Sequence, residues 1–498
     1  MRVLSTQPPS RRWQPALVYL GVAAGGGIFA LLVWQALKLE ARHLLAFVAG
    51  IVLLSVGMVV LNRLRDLLLY LLAFNLPLTS IKKTFLLTDQ TTFVTPGLPV
   101  GLADLALGAL YLFWGLRVVV TREEALPRFR KMDLWVILLV VVHALSMLTS
   151  YAPELTFFET LRIANFGLLY FYLSRNVKRR HLGPLVAGVV SAILLQTAVA
   201  LVQQRTGRLM GIGRTKGAEL DYEQYAVPGF EAVRRAEGTT FDSHALGLFM
   251  SMTLLLPLAL ALSRALPPRW RAAAGAAFLV GLPGLVVSFS RAGWLSFLVG
   301  ALILAWFYLR WGEGRTIVVG GALAACLSVP FLVPFAQYVR QRLFEAPPEL
   351  ITARIETMEM AYRLWSEAPL TGIGANAYMV AVEDRLSVFE GDPYFIPVHN
   401  MVLFVLTETG VIGLAVFLGL MGAVLHQCWQ VASGEDRLLR VFGAALFSAV
   451  IALQVAGIFD PIYITDVVYF MVWFLIGLSA AVYRMWRAEW DQAWAEAA

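Results

Sequence analysis

Long apolar runs alternate with short polar turns along almost the whole chain. Ala16 to Leu37, His43 to Leu61, Leu134 to Leu148, Leu182 to Val202, Ile317 to Phe335 and Val402 to Leu425 approach or reach the roughly 20 apolar residues that cross a bilayer. The pattern predicts spans near 15–37, 43–62, 66–80, 100–118, 133–150, 157–173, 182–203, 244–263, 272–289, 292–309, 316–336, 401–426, 441–459 and 465–483. The expected fold is an all-α polytopic membrane protein with about fourteen transmembrane helices, range twelve to fourteen. Only Ser290 and Arg291 separate the ninth and tenth spans, so a re-entrant pair is the alternative there.

Two polar stretches interrupt the pattern. The expected organisation is residues 1–336 with eleven spans and a loop at 204–243, residues 337–399 as one large loop, and residues 400–498 with three spans and a tail. The larger loop contains an amphipathic helix, because Ile351, Ile355, Met358, Ala361, Tyr362 and Leu364 form an approximately helical apolar stripe. This stripe is expected to lie against the membrane or the smaller loop. Pro369 and the glycines of Leu370-Thr-Gly-Ile-Gly374 end the helix in a turn.

Composition agrees with lipid as the solvent: 59% of residues are hydrophobic, 15% are charged, and mean hydropathy is +0.71, whereas soluble domains carry roughly 25% charge. The net charge of +7 does not imply nucleic acid, since Lys and Arg are spread between apolar runs and form no basic face. With the N-terminus inside, the inward turns hold most of the Lys and Arg. The short outward turns hold few, among them Lys38, Arg42, Lys82, Lys83 and Arg291. The positive-inside rule then puts both termini in the cytoplasm and both long loops outside. Arg2, Arg11 and Arg12 precede an apolar stretch too long for a signal peptide, which reads as the first span. Cys326 and Cys428 lie in apolar segments and imply no disulfide framework.

Candidate chemistry collects at the outward loops. Of the six histidines, only His244 and His399 sit at the outer membrane border beside a long loop, where an imidazole can accept a proton near neutral pH. Asp242 or Ser243 caps the helix after the smaller loop. Arg291 has apolar sequence on both sides, so it faces a cavity or partner, or it snorkels at the interface. Arg234 and Arg235 serve either loop solubility or anion binding. Glu390 and Asp392 form a carboxylate pair that could hold a divalent cation, although an exposed loop tip is the simpler reading.

His399-Asn400, nine residues and then Gly410-Val-Ile-Gly413 resemble the H-N-x9-G-x-x-G signature of the O-antigen ligase and polymerase superfamily. Arg291-Ala-Gly-Trp-Leu295 resembles its R-x3-L element. The helix ARIETMEMAYRLWSEAPLTGIG and the loop end RAEGTTFDSHALG are similar to its flanking stretches, so the resemblance covers about 230–415. The loop end departs from the family at His244, where a His-Pro-Asn type sequence is expected, and either Arg234 or Arg235 fits.

The resemblance implies a metal-independent, inverting glycosyltransferase without a cofactor in the bacterial inner membrane, its site facing the periplasm. The donor would be a glycan on undecaprenyl diphosphate, and the acceptor a glycan or lipid A core-like hydroxyl. His399 would be the general base. Arg291, Arg235 or Arg234, and more weakly Arg354, would grip the diphosphate. Asn400 would orient or cap, and Gly410 and Gly413 would permit close helix packing. Ligase and polymerase share this chemistry, with the span count leaning toward a polymerase. A lipid-glycan transporter or flippase is the rival, and a scaffold of a polysaccharide assembly complex a third reading. A transporter should pair ionisable groups at mid-membrane, whereas Asp104, Glu159 and Arg162 fall near outward ends.

Overall fold

The computed structural model describes residues 64–78, 82–85, 97–118, 129–206, 235–240, 242–344, 349–386, 397–460, 462 and 465–497. The expected spans 15–37 and 43–62, Arg234 and the Glu390 and Asp392 pair lie outside the described residues. The chain divides into two units, residues 1–68 with 108–127, and residues 69–107 with 128–498. In the first unit, Arg65 and Arg117 lie 5.5 and 5.4 Å from the centroid of the Phe113 ring. The second unit carries the described site residues.

Helix α1 (Leu64–Phe74) leads to a small antiparallel hairpin, β1 (Lys82–Phe85) with β2 (Leu98–Gly101), in register Lys82 to Gly101. Helices follow: α2 (Leu102–Leu116), α3 (Lys131–Ser146), α4 (Pro153–Asn176), α5 (Leu182–Thr206), α6 (Ser243–Thr253), α7 (Leu255–Leu262), α8 (Pro268–Val287), α9 (Arg291–Arg310) and α10 (Gly314–Leu332). The larger loop contributes α11 (Ala336–Phe344), α12 (Glu349–Glu367) and α13 (Tyr378–Leu386). The last helices are α14 (Met401–Ala432), α15 (Arg437–Phe459) and α16 (Asp466–Ala497).

Eight stretches among the described residues are long and apolar enough to cross a membrane: Lys131–Thr149, Arg179–Thr206, Ser243–Leu262, Pro268–Val287, Arg291–Arg310, Met401–Ala432, Arg437–Phe459 and Asp466–Glu489. They match eight of the expected spans, and the protein is an all-α, multi-pass membrane protein apart from the hairpin. Four other expected spans behave differently. α1 has 11 residues and α2 has 15. α10 has 19 residues, of which Gly314–Leu323 stands out only as a shorter apolar helix. α4 is 24 residues long but carries four charges, Glu154, Glu159, Arg162 and Arg175. It satisfies two of them internally: Arg162 donates to both Glu159 oxygens at 2.8 Å and to Asp466 of α16 at 2.9 Å. A buried guanidinium is tolerable only with such partners.

α8 and α9 are separate 20-residue helices joined at Ser288–Ser290, each long and apolar enough to cross a membrane. Part of the stripe on α12 packs within the larger loop and against α14. Ala361 and Leu364 are buried against Tyr378, Val398 and Phe404 of the α13 and α14 region, whereas Ile355 and Tyr362 are exposed.

α14 is broken. Gly410 has φ +67° and ψ −172°, a backbone region essentially confined to glycine. A break inside a bundle exposes N–H and C=O groups that each cost several kcal/mol in an apolar medium unless paired. Here the segment Pro369–Gly374 supplies the partners. Ile373 N and Gly374 N donate to the Thr407 and Glu408 carbonyls at 2.9 and 3.0 Å, while Val411 N and Ile412 N donate to Pro369 and Leu370 at 2.9 and 3.3 Å. The same segment is held from α3 and the turn after it. Ala375 N donates to Ser146 Oγ, Thr149 Oγ1 to the Gly372 carbonyl, and Tyr151 N to the Ile373 carbonyl. The two motif glycines thus act differently: Gly410 makes the break, and Gly413 lets Val142 of α3 approach.

A Cβ at Gly410 would stand 2.2 Å from the Leu370 carbonyl oxygen, whereas one at Gly422 meets nothing within 4 Å. Gly410→Ala should cost about 3 kcal/mol of stability and Gly422→Ala almost none. Thermal unfolding of the purified proteins in detergent checks this, and equal unfolding temperatures would disprove the account of the break.

Candidate active site

His399 stands between a Pro-ended loop and α14. Asn400 caps that helix, its side-chain oxygen accepting from Leu403 N at 3.0 Å. His399 Nδ1 lies 2.9 Å from the Pro397 carbonyl oxygen. A carbonyl only accepts, so Nδ1 carries the proton, and in the neutral ring Nε2 is left with a free lone pair. Burial pushes the imidazole pKa below its ordinary value. Arg354 and His244 act in the same direction, and Asp460 opposes them. The ring is therefore a neutral base at physiological pH.

Asp460 follows directly after α15. Gly457 brings the end of α15 against Met401, and Asn400 Nδ2 reaches the Ile458 carbonyl at 3.4 Å. Asp460 is buried, and His244 Nδ1 lies 3.3 Å from its Oδ2. Burial alone would raise this carboxyl. His244, His399 and Arg354 outweigh it and hold the pKa below the usual carboxylate value, so Asp460 is ionised.

The arginines arrive from three directions. Arg291 opens α9, whose N-cap Ser290 accepts from Gly293 N at 3.1 Å. Gly293 and Gly247 let α9 and α6 meet at backbone distance: a Cβ at Gly293 would stand 2.9 Å from the Gly247 carbonyl oxygen. This contact sets Arg291 close to the start of α6, which Asp242 caps by accepting from His244 N and Ala245 N. Phe289, fully buried, takes φ +49° in the turn before Arg291, strain of the kind found near functional sites. Arg354, near the start of α12, lies within electrostatic reach of Arg291, His399 and Asp460.

Arg235 enters through a buried turn. Ala236 N donates to the Val287 carbonyl at 3.0 Å, tying this arginine to the turn that presents Arg291. Two glutamines of α5, seven residues apart and so on one face, hold the rest. Gln203 accepts from Glu237 N and Gly238 N at 3.1 and 2.8 Å and donates to the Gly238 carbonyl at 2.7 Å. Gln196 accepts from Thr239 N at 2.9 Å and donates to Thr239 Oγ1. Burial lowers the Arg235 pKa, with Asp242, Asp460 and Glu237 working against it and Arg291 reinforcing it.

The structure therefore brings His399, Arg291, Arg354 and Arg235 together and leaves Asn400, Gly410 and Gly413 in backbone roles. Asp460, Gln196 and Gln203 were missed by sequence reasoning. Their signal was polarity at the end of, or inside, an apolar run, which earns attention in a membrane helix.

Three of these four side chains lie in a segment that matches a known family. Residues 276–418 match the O-antigen ligase family. No curated protein matches the chain. The match supports the O-antigen ligase and polymerase superfamily and implies a membrane enzyme that transfers glycan, with a lipid-linked glycan and an acceptor as substrates. The matched segment contains Arg291, Arg354, His399, Asn400, Gly410 and Gly413. Arg235, His244 and Asp460 lie outside it and join the site only through the fold.

Gln203→Ala would leave two buried N–H groups and one carbonyl without their partner, a loss of about 2–3 kcal/mol. The expected result is faster proteolysis near residue 238 and a lower unfolding temperature. Unchanged protease sensitivity would show that the turn does not depend on Gln203.

Proposed function

We propose that the protein transfers a glycan from undecaprenyl diphosphate to a sugar hydroxyl at the outer face of the inner membrane, as an O-antigen ligase or repeat-unit polymerase. The observation that carries this reading is His399, with Nδ1 committed to Pro397 and Nε2 free, beside two or more guanidiniums. Nε2 takes the acceptor proton as the hydroxyl oxygen attacks the anomeric carbon. The bond from that carbon to the diphosphate oxygen breaks, and the diphosphate leaves with the electron pair. Attack from the face opposite the leaving group inverts the anomeric centre.

Asp460 stabilises the imidazolium that forms. Arg291 and Arg354, with Arg235 behind them, meet the charge on the departing diphosphate, as guanidiniums grip phosphate oxygens in pairs. This supply of positive charge is why the mechanism needs no metal ion. Asn400, Gly410 and Gly413 fix the helix that carries the base. A transporter is less well supported, because the family match is to O-antigen ligases. Whether the acceptor is a growing glycan or a lipid A core-like sugar decides between polymerase and ligase.

Transfer assayed in vesicles with a polyprenyl diphosphate glycan should fall about 10²–10⁴-fold in His399→Ala and about 10²–10³-fold in Arg291→Ala. Chelator should leave the wild-type rate unchanged. Wild-type rates in both variants would sink the site assignment, and loss in chelator with recovery on adding Mg²⁺ would sink the metal-free mechanism.

The pH profile gives a second test. A base works only when deprotonated, so activity falls as pH drops through the His399 pKa, which lies below its ordinary value of 6.5. Asp460 raises that pKa, so Asp460→Asn should move the acid limb to still lower pH. A limb that stays in place or moves up would contradict the coupling.

A further inference from the structure

The end of the bundle remote from His399 holds a second, differently built concavity. α6 and α7 run from His244 to Leu262, and α8 runs from Pro268 to Val287 beside Arg291. A 20-residue helix is about 30 Å long, so the loop joining α7 to α8 lies about that far from the candidate active site. There α7, α8 and α10 enclose a groove of about 780 Å³, within the roughly 300–1,000 Å³ range of small-molecule sites.

The groove has two chemical zones. Its body is apolar, lined by Leu258, Leu262, Phe278, Leu279, Val319 and Leu323. Ala272, Gly275 and Ala276 on α8 keep it open. Val319 and Leu323 are 50% and 57% exposed, so the groove opens sideways toward lipid. Its head is basic, with Arg264, Arg271, Arg315 and Thr316. Arg264 Nη2 donates to Thr316 Oγ1 at 3.2 Å, and Arg271 Nε donates to the Ala261 carbonyl at 3.3 Å. Among the described residues no carboxylate pairs with these arginines. Nearby Glu313 is engaged by Arg440 at 2.9 Å. α8 and α10 both begin at this head, adding the partial positive charge of two helix N-termini. Trp270, 57% exposed with Arg269 over its ring, marks the membrane interface at the same level.

Three unmatched guanidiniums at interface depth above an apolar slot call for a ligand with a phosphate at one end and hydrocarbon at the other. We propose that this groove binds an anionic glycerophospholipid of the leaflet opposite the transferase site, phosphate on Arg264, Arg271 and Arg315 and an acyl chain between α8 and α10. Basic pockets between transmembrane helices recognise lipid headgroups in this way. The site is independent of the glycan-transfer reading, since none of its residues approaches His399 or Arg291.

The test is native mass spectrometry of the delipidated full chain titrated with phosphatidylglycerol, phosphatidylethanolamine or glycerol 3-phosphate. Phosphatidylglycerol should bind first and saturably, with phosphatidylethanolamine markedly weaker and glycerol 3-phosphate unable to compete. Each arginine replaced by Gln should weaken phosphatidylglycerol about five-fold. Exposed Arg315→Gln is the first variant and Arg264→Gln with Arg271→Gln the second. Ala276→Phe keeps every charge but fills the slot, and it should weaken binding as well. Equal binding of the two lipids, full binding in the arginine variants, undiminished binding in Ala276→Phe, or displacement by glycerol 3-phosphate would each overturn the proposal.

Discussion

The break in α14 at Gly410 imposes a requirement that organises the outer half of the protein. Backbone groups freed within an apolar bundle must find partners, and residues 369–374 provide them from the turn that follows α12. That segment is continuous with α12 on one side and α13 on the other. Arg354 and His399 are therefore carried by parts of one hydrogen-bonded unit, although 45 residues of sequence separate them. Glu408, just before the break, faces the N-terminus of α13, with Tyr378 N at 3.4 Å from its Oε1. Backbone pairing between a turn and a broken helix thus joins α12, α13 and α14.

The site mixes guanidiniums with carboxylates. Arg291 lies within electrostatic reach of Arg354 and Arg235, Asp242, Asp460 and Glu237 act on Arg235, and Asp460 is shared with His244 and His399. Packing holds the arrangement in place. Gly247 and Gly293 fix the approach of α6 and α9, and Gln196 and Gln203 fix the turn behind Arg235. Positive charge assembled before the substrate arrives needs little reorganisation when negative charge develops on a leaving group. Phe289, with φ +49°, adds local backbone strain in the turn before Arg291.

The two ends of the bundle treat charge in opposite ways. Where α4 meets the start of α16, Arg162 is matched with Glu159 and Asp466. At the remote end, Arg179 pairs with Asp436 and Glu489, and Arg440 with Glu313. The arginines around the α7–α10 groove stand apart from this matching, which is what singles them out on a surface otherwise laced with ion pairs.

The sequence by itself determined the all-α, membrane-spanning character, because burial in lipid leaves an unmistakable run of about 20 apolar residues. It also pointed to His399 and Arg291, whose charge or titration stood against apolar surroundings. It read Gly410 as a packing residue, since a φ of +67° has no signature beyond the glycine itself. It did not show that Ala361 and Leu364 of the α12 stripe pack against the α13 and α14 region, because an amphipathic face does not say what covers it. It could not choose between Arg234 and Arg235. Only the tertiary structure decided that the chain beside Arg235 is tied to the end of α8, that Asp460 stands beside His399, and that two glutamines hold a loop. These contacts join segments far apart in the chain, and local periodicity carries no information about which distant groups will meet.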